Sequence, residues 1–185
     1  IIKLQVKRMA GKTKKMIISS FLELVNSNEQ YDKITVTDLV GKCGISRQTF
    51  YYHFEDVDKM VSWLFKRQTE TVCNDFATYK DCAKSARMTA EFIEKYSKVI
   101  TKAMTTSKCI LAFNDLYAMF YAITRAYVEN TLQMPKNYEP LVKFWANSTT
   151  GATINELQLE PEKRDFEKLY KQIFSYLPKG KSYQQ

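Results

Sequence analysis

Apolar residues recur every three or four positions along most of the chain, and this spacing predicts a protein built from α-helices. Only five glycines and four prolines occur in 185 residues, which favours long helices over short strands and turns. We therefore predict an all-α fold of about nine helices. The first four begin near Lys12, Thr35, Ser46 and Asp56, and the others are predicted at 84–96, 97–106, 109–133, 138–157 and 162–177.

Two short helices joined by a tight turn are predicted between Thr35 and Phe54. Thr35 can cap the first helix, Gly44 can take the positive φ that ends it, and Ser46 can cap the second. Their apolar residues are expected to face inward: Leu39, Ile45, Phe50 and Phe54. This is the layout of a helix-turn-helix, whose second helix offers its first turn to base edges in the major groove.

The first turn of that second helix carries side chains suited to reading bases. Arg47 can donate two hydrogen bonds to guanine, Gln48 can pair with adenine, and Thr49 can use its hydroxyl or methyl group. Five further residues are predicted to bind DNA, mainly through the phosphates: Thr35, Ser46, Tyr51, Tyr52 and His53. For Tyr52 and His53 the alternative is packing inside the protein, against the helix that begins near Lys12 or the one that begins near Asp56.

The formal net charge of +8 favours a polyanionic partner, either nucleic acid or an acidic membrane surface. Basic residues precede the first acidic one, which predicts a basic arm leading into the first helix, although a solvated or tag-derived leader is the alternative. They are Lys3, Lys7, Arg8, Lys12, Lys14 and Lys15. No apolar run reaches about 18 residues, so we expect no membrane span and no secretion signal, and hence a cytoplasmic protein.

The residues that usually bind metals or perform catalysis are scattered. The four cysteines (Cys43, Cys73, Cys82 and Cys109) have no CxxC spacing, and His53 is the single histidine. His53 already belongs to the second helix of the predicted helix-turn-helix. A catalytic Ser-His-Asp or Cys-His arrangement would therefore have to disrupt the helix-turn-helix. There is also no glycine-rich phosphate loop. We therefore expect no metal, no cofactor and no enzymatic activity.

Aromatic residues in the later helices could line a ligand pocket, although aromatic residues at helical spacing are more often ordinary core. The segment 109–133 is apolar almost all round, so its helix is expected to be central and buried. The candidate ligand-binding residues are Phe92, Tyr96, Phe113, Tyr117, Phe120, Tyr121 and Trp145.

The strings ITVTDLV at 34–40 and CGISRQTFYYHF at 43–54 resemble the TetR family of transcriptional regulators. Asp58-Lys59 and the string VSWLF at 61–65 are similar to the start of that family's fourth helix. The resemblance is strongest to a Firmicutes-type subgroup that includes regulators similar to dihydroxyacetone-kinase regulators, and its motifs cover roughly residues 12–66.

The resemblance implies a helix-turn-helix DNA-binding domain at 10–56 and a helical dimerisation and ligand-binding domain at 57–185. It implies a homodimer that pairs through its last two helices and binds a palindromic operator in double-stranded DNA, usually as a repressor that a small-molecule effector releases. Lys59 would approach phosphate, because Val57 stands where the family has lysine. The implied dimer contacts are Leu141, Phe144, Trp145, Ile154, Leu157, Phe166, Leu169, Ile173 and Phe174.

Three departures from the family pattern keep a second hypothesis open. Val40 stands where the family prefers alanine, Gly41 where it has a helix-forming residue, and Val57 where it has lysine. The alternative is a helical binding module of the same fold that acts as a co-regulator through a protein partner rather than by direct DNA binding.

Overall fold

The structure is a computed structural model that describes residues 2–27, 31–131 and 138–177, with side chains from residue 11 onward. Within these ranges the chain forms eight α-helices and two short 3-10 helices, with no strand, so the all-α prediction is confirmed. The α-helices are α1 (Ile2–Asn26), α2 (Val36–Cys43), α3 (Arg47–His53), α4 (Val57–Tyr79), α5 (Cys82–Met104), α6 (Cys109–Thr131), α7 (Glu139–Leu157) and α8 (Phe166–Tyr176).

Three helix boundaries differ from the prediction. The segments 84–96 and 97–106 form the single helix α5, because no glycine or proline interrupts it and Ser97 is buried. Pro161 opens a 3-10 helix, and α8 begins only after Asp165, whose side chain accepts a hydrogen bond from the Lys168 amide at 2.8 Å. The backbone of α1 is helical from Ile2, so the basic leader is part of the helix. The last two residues of the helix predicted at 109–133 lie outside the described residues.

The chain divides into two compact units. One contains the residues up to Trp63 together with Lys98–Lys108, and the other contains Leu64–Ser97 and the residues from Cys109 onward. Both α4 and α5 therefore contribute residues to each unit. We call the first unit the head and the second unit the body.

The head is built around side chains from α1, α2 and α3 that are completely buried. They include Phe21, Leu39 and Phe50, and Tyr31 packs edge-on against Phe21 with 6.0 Å between ring centroids. The Lys102 ammonium donates to the Val25 carbonyl at 2.6 Å, and thereby satisfies one of the carbonyls that the end of α1 leaves without a helical partner. The helix-turn-helix thus rests on a closed apolar core.

The body is centred on the packing of α6 against α7. Leu116, Phe120 and Val142 are almost wholly buried, and the Thr153 hydroxyl shares a hydrogen bond of 3.0 Å with the buried Tyr170 hydroxyl. The prediction that the helix at 109–133 is central and buried is only partly right. The first turns of α6 leave three large apolar residues exposed within the chain: Ile110, Leu111 and Phe113.

Gly41 and Gly44 test how the backbone conformation determines the stability of α2 and of the turn that ends it. Among the described residues, no atom lies within 4 Å of a Cβ placed at either position, so a substitution by alanine acts through the backbone. Gly44 has φ +65°, and we expect Gly44→Ala to lower the free energy of unfolding by about 1–2 kcal/mol. Gly41 lies inside α2, and we expect Gly41→Ala to raise it by up to about 1 kcal/mol.

Urea denaturation followed by circular dichroism measures both effects, and equal slopes would show that the folded and unfolded states stay comparable. Two substitutions that change stability in the same direction would contradict this account of the turn.

Candidate nucleic-acid interface

The start of α2 is fixed by a reciprocal capping box. The Thr35 hydroxyl accepts a hydrogen bond from the Asp38 amide at 3.3 Å, and the Asp38 carboxylate accepts from the Thr35 amide at 2.8 Å and from the Thr35 hydroxyl at 2.6 Å. The hydrogen bond from the Thr35 hydroxyl, and to a smaller extent the one from the Thr35 amide, holds the pKa of the Asp38 carboxyl below its ordinary value. The predicted cap is confirmed, and the Thr35 hydroxyl hydrogen is already bound inside the protein.

The turn from Gly44 to Ser46 then sets the direction of α3. Gly44 ends α2 in the left-handed conformation, with its amide donating to the Val40 carbonyl. Ser46 caps α3 by accepting from the Thr49 amide at 3.0 Å, and the Ser46 and Thr49 hydroxyls share a hydrogen bond of 2.9 Å. The buried Phe50 anchors the opposite face of α3, so the first turn of this helix stays at the surface. Three structural predictions are confirmed: Gly44 ends α2, Ser46 caps α3 and Phe50 is buried.

The three predicted base-reading residues are in different states. Arg47 and Gln48 are exposed, whereas Thr49 is half-buried. The Arg47 guanidinium donates through Nη2 to the Thr37 hydroxyl on α2 at 2.5 Å. Arg47 is therefore already held in one direction, while Gln48 projects from the first turn of α3.

Two adjacent tyrosines lie further along α3. Tyr51 is 55% exposed and Tyr52 is 74% exposed, and Tyr51 packs edge-on against Phe50 at 5.7 Å between ring centroids. Their hydroxyls are at the ends of rigid rings, which suits hydrogen bonding to phosphate oxygens. The exposure of Tyr52 argues against the alternative in which it packs against α1 or α4.

His53, the last residue of α3, is half-buried. Burial first, and then the positive charge of Lys14, hold the pKa of His53 below its ordinary value of 6.5. The Lys14 ammonium itself lies 4.4 Å from the centroid of the Trp63 ring and 5.0 Å from that of Phe54. Lys14 thus forms cation–π contacts within the head, and His53 is uncharged at neutral pH.

Basic side chains surround this surface unevenly. Lys12, Lys15 and Lys59 are exposed, and the Lys59 amide donates at 2.7 Å to Asp56, which confirms the predicted cap of α4. Two other lysines of the head form ion pairs: Lys42 with Glu23 at 3.1 Å, and Lys108 with Asp58. The side chains of Lys3, Lys7 and Arg8 lie outside the described residues.

Thr37 belongs to this surface although the sequence did not predict it. The structure joins it to Arg47 although ten residues separate the two, and both side chains are exposed. No periodicity or capping rule relates positions at this spacing, so the sequence contains no signal for the contact. The candidate interface therefore consists of the exposed first turn of α3, the two tyrosines that follow it and Thr37 of α2.

Two of the seven predicted ligand-binding residues line the same small cavity. Phe120 and Trp145 line a cavity of about 20 Å³ in the body, which has room for about one water molecule. Trp145 Nε1 is buried and has no hydrogen-bond partner among the described residues. The other five are not part of the lining of this cavity. Phe92 and Tyr96 are buried against each other at 4.8 Å, the Tyr121 hydroxyl donates to Glu139 at 2.8 Å, and Phe113 and Tyr117 are partly exposed on α6.

Metal-binding clusters and membrane-spanning helices are both absent from residues 2–27, 31–131 and 138–177. No group of three or more His, Cys, Asp or Glu side chains in these ranges could hold a metal ion. None of the helices there combines the length and the apolar character needed to span a bilayer.

Comparison with known proteins identifies relatives over part of the chain. It is 36% identical over 67 residues to the HTH-type dhaKLM operon transcriptional activator DhaS of Lactococcus lactis subsp. lactis (strain IL1403), a stretch of 36% of this chain and 35% of that protein. It is 27% identical over 63 residues to the uncharacterized HTH-type transcriptional regulator YxbF of Bacillus subtilis (strain 168), a stretch of 34% of this chain and 17% of that protein. The matches thus span about a third and about a sixth of these relatives, and no family model matches the chain.

A solved structure resembles the chain over most of its length. The dihydroxyacetone kinase operon activator DhaS superposes with a TM-score of 0.70 at 19% identity, covering 88% of this chain and 92% of that one. At this identity the likeness establishes a shared fold. The chain therefore has relatives among HTH-type transcription regulators and shares the fold of one such protein.

The lowered pKa of His53 predicts how stability depends on pH. The folded protein binds the His53 proton more weakly than the unfolded chain does. The contribution of neutral His53 is complete above the unfolded pKa of about 6.5 and is lost as the pH falls through the lower folded pKa. We expect Tm to fall between about pH 7.5 and about pH 5.5, a window above the ordinary pKa of the carboxyls.

His53→Gln should show a smaller fall in Tm over the same window, measured by differential scanning calorimetry. Because His53 is the single histidine, no other imidazole contributes to the difference. An identical pH dependence in the two proteins would show that His53 is not the group responsible.

Proposed function

We propose that the protein is a sequence-specific, DNA-binding transcription regulator of the TetR type that reads DNA with α3. The observation that carries the proposal is the exposed first turn of α3, where Arg47 and Gln48 project from a capped helix anchored by buried Phe50. Side chains of these two types at the start of a recognition helix can form bidentate contacts with guanine and adenine. The relationship to HTH-type transcription regulators supports the same conclusion.

The remaining residues of the interface position the protein on the DNA backbone. Tyr51 and Tyr52 are exposed and suited to phosphate contacts, and Ser46, Thr49 and Lys59 lie at or near the starts of α3 and α4. His53 completes the proposed set of backbone contacts, whereas Thr35, whose amide and hydroxyl both donate to Asp38, is proposed to act by holding the start of α2 in place. The lowered pKa of His53 favours the neutral imidazole in the free protein, and the neutral ring still has one N–H that can donate to phosphate.

A symmetric operator requires a symmetric protein. We propose a cytoplasmic homodimer whose DNA-binding domain is 10–56 and whose dimerisation domain, 57–185, pairs through the last two helices, so that each protomer reads one half of a palindrome in double-stranded DNA. The outward face of α7 supports this assignment: Phe144 is 62% exposed, and Ser148 and Asn155 are exposed on the same face. Two of the implied contacts, Leu157 and Phe166, are already buried inside the single chain, so the interface is built from the other residues.

The sign of regulation and the effector belong to the same proposal. The TetR resemblance implies repression released by a small molecule, whereas the matched Lactococcus lactis protein is named an activator, so a promoter–reporter assay decides between repression and activation. The support for an effector site in the body is the unpartnered Trp145 Nε1 beside the cavity that Phe120 also lines. A cavity this small would have to widen to accept more than about one water molecule.

DNA binding can be tested with the region upstream of the protein's own gene. We expect tight binding that weakens strongly between about 50 and about 200 mM salt, because phosphate contacts release counterions. Arg47→Ala should weaken binding to this DNA by about 10-fold to 100-fold, through the loss of a bidentate base contact. Adding Tyr51→Ala should abolish specific binding, as measured by gel shift.

Arg67→Ala is the matched control, since Arg67 is an exposed arginine of the body that pairs with Glu70 at 3.5 Å. It should bind DNA as the wild type does. A wild-type protein that fails to bind even at low salt would contradict the proposal and favour the alternative of a co-regulator that acts through a protein partner.

The dimer can be tested at Gly151. A Cβ at this position meets no atom of the described residues within 4 Å, and Gly151 lies on the same face of α7 as Phe144 and Ser148. Gly151→Arg should therefore leave the folded chain intact, since arginine favours a helix more than glycine does, but should convert the dimer to a monomer. Sedimentation velocity measures the change.

Glu91→Arg, an equally bulky substitution at an exposed position of α5, should remain dimeric. The proposed interface is wrong if Gly151→Arg sediments as a dimer, or if the wild-type protein is a monomer.

A further inference from the structure

Thr37 and Arg47 join the two helices of the helix-turn-helix at its exposed surface. Arg47 Nη2 donates to Thr37 Oγ1 at 2.5 Å, and both side chains are exposed. Thr37 lies outside the capping box, which is formed by Thr35 and Asp38. The bond to Arg47 is therefore not part of what starts α2.

This bond restricts the arginine without using up its ability to read a base. A guanidinium has five N–H donors, and Thr37 occupies one hydrogen of Nη2. Whichever Nη2 hydrogen is used, one pair of adjacent N–H donors remains free for a bidentate contact. The side chain of Arg47 is thereby restrained before DNA arrives, so less side-chain freedom is lost when the base contact forms.

We propose that Thr37 is a positioning residue that sets the base preference of Arg47. This inference rests on the proposed DNA-binding function. Arg47 can discriminate guanine from other bases only when its two free donors point along the edge of one base pair. Without the Thr37 hydroxyl, the long side chain can swing to phosphate oxygens, where it still contributes to affinity but carries no sequence information.

The variants Thr37→Val and Thr37→Ser separate this role from a structural one. Valine keeps the shape of the threonine side chain and removes the acceptor oxygen, whereas serine keeps the oxygen. Each protein is used to select DNA from a random pool, and the bound sequences are read. Arg47→Ala identifies the base pair that Arg47 reads.

We expect Thr37→Val to lower the preference at that one base pair by about fivefold or more, a share of what a bidentate contact provides. The preference at other positions, binding to non-specific DNA and Tm should stay at wild-type values. Thr37→Ser should retain the wild-type preference.

Two results would overturn the inference. Thr37→Val could select the wild-type motif unchanged, which would show that Arg47 needs no positioning. It could also weaken binding equally at every sequence, which would show that Thr37 is an ordinary phosphate contact. If the wild-type protein selects no motif at all, the proposed function itself fails, and this outcome is distinct from both.

Discussion

The left-handed turn at Gly44 is the constraint on which the candidate interface depends. It ends α2 with φ +65° and allows Ser46 to cap α3 only two residues later. Because the two helices are so close in sequence, the buried Phe50 can share one core with Leu39 while the first turn of α3 faces outward. A residue that strains this turn would displace every side chain proposed to read DNA.

Polar contacts inside the head decide which residues remain available for a ligand. Lys14 forms cation–π contacts with Trp63 and Phe54, so it is engaged within the protein although it belongs to the basic leader. The Thr35 hydroxyl is also engaged within the protein, since it donates a hydrogen bond to the Asp38 carboxylate. Arg47 keeps free donors after it bonds to Thr37, and Gln48 projects beside it, so the chemistry of base reading is concentrated on two adjacent side chains.

The features that the sequence predicts correctly are those that act over a few residues. The caps at Thr35, Ser46 and Asp56 each bond to an amide three positions ahead, and such pairs can be read from the chain. The contact of Arg47 with Thr37 spans ten residues between exposed side chains and depends on the angle of the turn. For a similar reason the sequence could not show which of the seven candidate ligand-binding residues lie together, since helical spacing places aromatic residues on a face but does not determine which faces meet.

The central claim is that the first turn of α3 contacts bases. Its most direct test is photo-crosslinking with a photoreactive amino acid in place of Gln48, on DNA that the protein has selected. The account predicts crosslinks to bases at symmetric positions in the two half-sites, and none when the same group replaces the exposed Glu91 of the body. Crosslinking from position 91, with none from position 48, would contradict it.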